Sequence, residues 1–267
     1  MVHGLELFFA LFNNLALFIA LVALYRLIFG QFKNTRWLNR QIVLGCTFGL
    51  FAIGCMHAKI PVFQGVLVDQ RNAVVALSGA FGGPLSAVLS ALFAGAYRVS
   101  LGGAGVLGGV VGVSLAALAG TVLHMARGSF ATIRRAAASS LFATIAVLPG
   151  FVFINDLQAG LRLLGDMALP YGAAIFCGIF LVGLLLNREE ALYAVEQSFL
   201  ASEEKYRALV EGTEDLITRT DADGSLTFVN SVSRKILGLP PAECLGRRLV
   251  EFVHPEDKAR TVEATAQ

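Results

Sequence analysis

Six apolar stretches, each near the roughly 20 residues that a helix needs to cross a hydrocarbon layer, dominate residues 1–187 of this chain. They run over residues 7–25, 42–58, 73–97, 104–125, 136–154 and 169–186. Hydrophobic residues make up 56% of the 267-residue chain and charged ones only 15%, a balance foreign to water-soluble domains. The expected fold is therefore mainly α, a polytopic membrane bundle of six or seven helices. The first stretch has no basic leader and no small-residue cleavage site, and it exceeds a signal-peptide core, so it is expected to remain as a membrane helix. A net charge of +2 with scattered basic residues excludes nucleic acid as a partner. Cys46, Cys55, Cys177 and Cys244 have neither disulfide nor metal-ligand spacing and read as small buried hydrophobes, so no metal is expected.

After Asn187 the character changes abruptly. Residues 188–211 are charged, with Leu192, Val195, Phe199, Ser202, Tyr206 and Leu209 at alternating spacings of three and four. Such a seam pairs with a second copy of the chain, or else lies as an amphipathic face on its own domain. Residues 214–267 are soluble in composition and open with two alternating strands around an Asp-Gly turn. The expected organisation is an N-terminal helix and loop at 1–40, a membrane domain at 41–187, a signalling helix at 188–211 and a small α+β domain at 204–267.

Topology is constrained by charge. Lys33, Arg36 and Arg40 follow the first stretch, and Arg127, Arg134 and Arg135 precede the fifth; the positive-inside rule places both groups in the cytoplasm. Three single crossings between them would put them on opposite sides. The conflict disappears if residues 73–97 reverse at Gly82, Gly83 and Pro84, where glycines permit a tight turn and proline opens the next helix. Two short antiparallel helices are then expected, near 66–81 and 84–97, either spanning fully or forming a re-entrant hairpin. The N-terminus lies outside, and residues 188–267 lie in the cytoplasm.

Residues 72–97 carry no charged side chain, yet the turn brings the flanking Arg71 and Arg98 together near the outer face. Asp69, Asn72, Tyr97 and Ser100 accompany them. Two guanidinium forks at the rim of an apolar bundle suit a carboxylate; the alternative is that Arg71 pairs with Asp69 and Arg98 reaches headgroups, both as anchors. Gly108, Gly112, Ala116 and Gly120 form a stripe for close helix packing, and free N–H groups at Gly102, Gly103 and Gly105 could face the same anion. No polar residue stands at Gly109 or Gly112, from which a side chain would reach the pocket. His57 either joins the pocket or is a satisfied interfacial side chain, Trp37 reads as an anchor in the lipid interface, and His3 and His124 carry no signal.

The order D-x-R-N, F-G-G-P, Y-R-x-x-x-G-G and then a glycine-striped helix, read here from Asp69 to Gly120, resembles the five-transmembrane receptor of the LytS-YhcK type, a bacterial sensor module. A weaker similarity is to the substrate-binding membrane subunits of energy-coupling vitamin transporters. The first resemblance implies a pocket near the outer face of the bacterial inner membrane, ligand contacts at Arg71 and Arg98, and small carboxylates such as pyruvate as ligands. Residues 204–267 are similar to the first half of a PAS domain, whose remaining strands would need more chain. Nothing there identifies a haem or flavin, so no cofactor is expected, and His254 reads as structural.

Two functions follow. A signal receptor would relay ligand binding through a paired helix and the PAS segment to an output, a histidine kinase or a diguanylate cyclase, for which these residues hold no catalytic signature. A transport subunit would share the pocket but would have no use for the charged seam after Asn187, which favours the receptor.

Overall fold

The computed structural model describes residues 4–32, 36–57, 60–63, 66–103, 105–126, 128–153 and 157–258. Lys33, Arg127 and His3, Ala104 and residues 259–267 lie outside them. Two compact units, Met1–Tyr193 and Ala194–Gln267, make up the chain.

The first unit contains α1 (Gly4–Gln31), α2 (Trp37–His57), a short antiparallel hairpin β1 (Ile60–Phe63) and β2 (Val66–Val68), α3 (Arg71–Gly82), α4 (Pro84–Leu101), α5 (Val106–Met125) and α6 (Ile133–Val147). A 3-10 turn (Leu148–Phe153), tightened where Pro149 interrupts the helix, leads to α7 (Leu157–Gly212). Among the described residues, five helices are long and apolar enough to cross a membrane, and Ala16–Gln31 adds a shorter apolar helix. The protein is a multi-pass membrane protein.

The expected reversal is present. α3 ends at Gly82, and Gly83 adopts φ +91° before Pro84 opens α4. With ψ near 180°, that backbone conformation is essentially restricted to glycine. The expected start of the first short helix at residue 66 is corrected: 66–68 pair with 60–63, and α3 begins only at Arg71. β-branched Val62, Val66 and Val68 together with Pro61 favour strand over helix here.

α2 runs parallel to α4, and α3 runs parallel to α5. Gln41 of α2 accepts a hydrogen bond from Leu85 N at the start of α4 (2.9 Å), while His57 at the end of α2 meets Tyr97 near the end of α4. His124 near the end of α5 bonds Ala80 O near the end of α3 at 3.0 Å. The turn at Gly83 is thus level with the start of α2 and the end of α5, so the hairpin traverses the bundle and the two basic loops share one end. At that end Arg26 of α1 also pairs with Glu189 of α7 at 3.3 Å.

Lipid chains are as apolar as leucine, so helices here associate by packing closely rather than by escaping water. A Cβ on Gly79 would sit 2.7 Å from the carbonyl carbon of Gly120, so only glycine lets α3 and α5 approach this far. α3 is buried along its length from Asn72 to Gly79, whereas α4, α5 and α6 expose Leu92, Leu118 and Ile145 to the surroundings. Cys177 is exposed, which corrects the expectation that it would be buried; it lies on the outward face of α7.

α7 joins what the sequence separates into a membrane stretch and a signalling helix. No glycine or proline occurs between Leu184 and Glu211, so nothing in that stretch stops the helix. In the second unit, β3 (Thr218–Thr220) pairs antiparallel with β4 (Leu226–Val229), followed by α8 (Ser233–Ile236) and α9 (Pro241–Cys244). Leu226, Val229 and Cys244 form its small core. Buried Asn230 donates to Val210 O and Asp215 O and accepts from Ile217 N, tying the end of α7 to both strands.

Candidate ligand site

Arg71 and Arg98 meet at the end of the hairpin opposite Gly83. A Cβ on Gly109 of α5 would lie 2.9 Å from Arg98 Nε and 3.0 Å from Arg71 Nη2, so both guanidinium groups converge over one bare backbone position. Gly105, one turn earlier, lies beneath Arg98 Nη2 in the same way, at 3.0 Å. In the sequence Gly105 reads as a helix start whose N–H could face the anion, and Gly109 as a position from which a side chain would reach the pocket; the structure shows that both seat the arginines.

The two arginines are held differently. Arg71 bonds Asp69 through Nη1–Oδ2 at 3.1 Å, and its backbone N–H donates to Asp69 Oδ1 at 3.1 Å, with both side chains almost buried. Arg98 donates only to Gly102 O within the described hydrogen bonds, at 2.9 Å, and is half-buried. One carboxylate against two guanidinium groups leaves an excess positive charge, in a setting where little water offsets it. Asn72 Nδ2 donates to Tyr171 Oη at 2.8 Å, and Gln70 Nε2 donates to Ala174 O at 3.1 Å, both on α7.

Three consecutive residues each keep one buried polar atom without a partner: Gln70 Oε1, Arg71 Nε and Asn72 Oδ1. Buried polar groups are normally paired, so a cluster of unpaired ones beside two arginines has the chemistry of a site that exchanges hydrogen bonds with a molecule from outside the chain, Arg71 Nε donating and the two amide oxygens accepting.

Not every expected neighbour joins. Tyr97 turns away to stack on His57 at 5.3 Å and to bond its Nε2 at 3.0 Å, so His57 is a satisfied partner of Tyr97. Ser100 is exposed and donates to Tyr97 O in its own helix. Helical geometry explains both: residues one and two places from Arg98 lie about 100° and 200° around the axis from it. Gly102 enters through its carbonyl, while Gly103 has nothing within 4 Å of its Cβ position. Asp69 and Asn72 flank the arginine pair, while Gln70 and Asn72 bond Ala174 and Tyr171 of α7; of these, Gln70 and Tyr171 have no signal in the local sequence. Among the described residues, no group of three or more His, Cys, Asp or Glu side chains could hold a metal ion.

Leu192, Val195, Phe199, Tyr206 and Leu209 are all exposed in the single chain, so among the described residues this apolar row is left uncovered.

The family described as 5TMR of 5TMR-LYT matches residues 22–189, and the PAS fold matches residues 204–267. The two-component sensor PprA of Pseudomonas aeruginosa is 43% identical over 76 residues, 28% of this chain and 8% of PprA. An aryl hydrocarbon receptor nuclear translocator homolog of Drosophila melanogaster is 42% identical over 53 residues, 20% of this chain and 8% of that protein. Each alignment thus takes in less than a tenth of these curated relatives' length. No solved structure matches significantly.

Proposed function

The chain belongs to the 5TMR of 5TMR-LYT family, and on that premise we propose that this membrane signal sensor captures a small carboxylate, such as pyruvate, between Arg71 and Arg98. One observation carries the reading: guanidinium groups from two helices converge over Gly109 while Arg71 Nε stays buried and unpaired. Arg71 and Arg98 each offer a planar fork that matches two carboxylate oxygens. The ligand enters from the outer side of a bacterial inner membrane, with the basic loops and the PAS segment in the cytoplasm.

Binding passes along α7 to the PAS segment and on to an output, a sensor histidine kinase or a diguanylate cyclase. The two-component sensor among the relatives favours a phosphorelay. A second copy covers the row Leu192, Val195, Phe199, Tyr206 and Leu209, giving a homodimer through α7, with the membrane's lipids around the bundle. A transport subunit has no need for a last helix that continues into a PAS segment, so the receptor is the better account.

Calorimetric titration of the full chain with a panel of small carboxylates tests the reading. Binding that is lost in both Arg71→Ala and Arg98→Ala, each still folded, supports it; binding that survives both changes contradicts it.

A further inference from the structure

The first turn of α3 faces two ways. Arg71 reaches α4 and α5, whereas its sequence neighbours grip α7: Gln70 through Ala174 O and Asn72 through Tyr171 Oη. Gly178, one turn beyond Ala174, admits Gln70, since a Cβ there would lie 2.8 Å from Gln70 Oε1. Tyr171 is buried and is braced from its other side by Phe151, ring edge to ring face, with centroids 5.0 Å apart.

This grip falls beside Pro170, the proline inside α7. Proline has no N–H to donate and its ring crowds the carbonyl of the preceding turn, so a helix bends most easily there. Gln70 and Asn72 therefore hold α7 immediately after its weakest step. They do so from residues on either side of an arginine whose Nε is unsatisfied, and each keeps an unsatisfied oxygen of its own. A ligand that engages Arg71 changes the balance of bonds within this one turn.

We infer that Tyr171 and Gln70 are positioning residues of the receptor, carrying a displacement of Arg71 onto α7 at its proline. The inference rests on the carboxylate-receptor reading. A ligand moves an equilibrium only through its difference in affinity for two states, and these two contacts are where that difference reaches α7.

The test uses the full chain in lipid nanodiscs with pyruvate as the probe, measuring affinity by calorimetry and amide exchange in residues 166–178 with and without ligand. In the native chain, pyruvate changes exchange there by about threefold or more. Tyr171→Phe keeps the ring against Phe151 and removes only the hydroxyl. It is expected to bind pyruvate within about threefold of the native chain while losing most of the exchange response. Gln70→Met combined with Tyr171→Phe cuts both ties and abolishes the response, with thermal melting confirming the fold; if that double variant does not fold, Tyr171→Phe alone decides. A full response in these variants, or native binding with no response in α7, overturns the inference and leaves the receptor reading standing. A native chain that does not bind pyruvate overturns the inference, and one that binds no carboxylate in the titration panel removes both.

Discussion

The two ends of the α3–α4 hairpin are built from similar residue types and are finished differently. At the closed end, Gln41 bonds Leu85 N, Ser78 bonds Ser86 twice and His124 bonds Ala80 O, leaving one orphan, Gln41 Nε2. At the open end, three successive residues each leave one polar atom buried and unpaired, next to a surplus of positive charge. A bundle that pairs nearly all its polar atoms at one end and withholds partners from three successive residues at the other has separated a structural joint from a receiving site. The difference teaches that the same short hairpin can anchor a fold and present a ligand surface, with about one helix length between the tasks.

The sharpest way to break this comparison is at the open end. Arg71→Ala and Arg98→Ala are each expected to weaken carboxylate binding by about 30-fold or more, since each removes charge-assisted bonds; Arg98→Ala should leave the melting temperature close to native, whereas Arg71→Ala should lower it by stranding the buried Asp69 carboxylate. Titration and thermal unfolding of the same samples check both halves. The closed end should behave in the opposite manner. Gly83→Ala forces a side chain into backbone space reserved for glycine and should cost about 1–3 kcal/mol of stability, with carboxylate affinity unchanged in the folded fraction. Gln41→Ala should cost about 1 kcal/mol by freeing Leu85 N, again without touching affinity. A loss of binding as large as that of the arginine variants would mean that the two ends are not separate.

Dimerisation tests a different region. Single cysteines in place of Val195 or Phe199, in a cysteine-free background, should give a covalent dimer on oxidation; the monomer alone would count against the paired helix. The smallest effect lies in the second unit. A hydrogen bond from Arg247 Nε, and after it the backbone N–H of Arg248, hold the Glu251 carboxyl below the usual carboxylate range. A folded-state pKa depressed in this way adds stability above the unfolded pKa and loses it as pH falls through the folded one. Limited proteolysis of residues 213–258 should therefore accelerate slightly from neutral pH to about pH 4 in the native chain, and less so in Glu251→Gln.

Much of this comparison is legible in the sequence, because it rests on charge and on turn chemistry. The basic residues around Arg36 and Arg134 demand an even number of crossings between them, and Gly82-Gly83-Pro84 is the place where the chain can supply the extra one. That parity brings Arg71 and Arg98 together before any contact is known. The rest is tertiary. Tyr171 and Ala174 lie about a hundred residues from their partners, and no local pattern announces them. Tyr97 and Ser100 look like site residues by adjacency, but helical rotation carries them off the face that Arg98 occupies. Residues 66–68 read as the start of a helix, and only the β-branched Val62, Val66 and Val68 betray a hairpin.

The most direct test of the central claim is a solid-state NMR dephasing measurement between the carboxyl carbon of 13C-labelled pyruvate and the 15N-labelled guanidinium groups of the arginines in the membrane-embedded chain. The account predicts contacts within about 4 Å to two arginines, one signal disappearing in Arg71→Lys and the other in Arg98→Lys. Contact with neither arginine, or with only one of them, would contradict it.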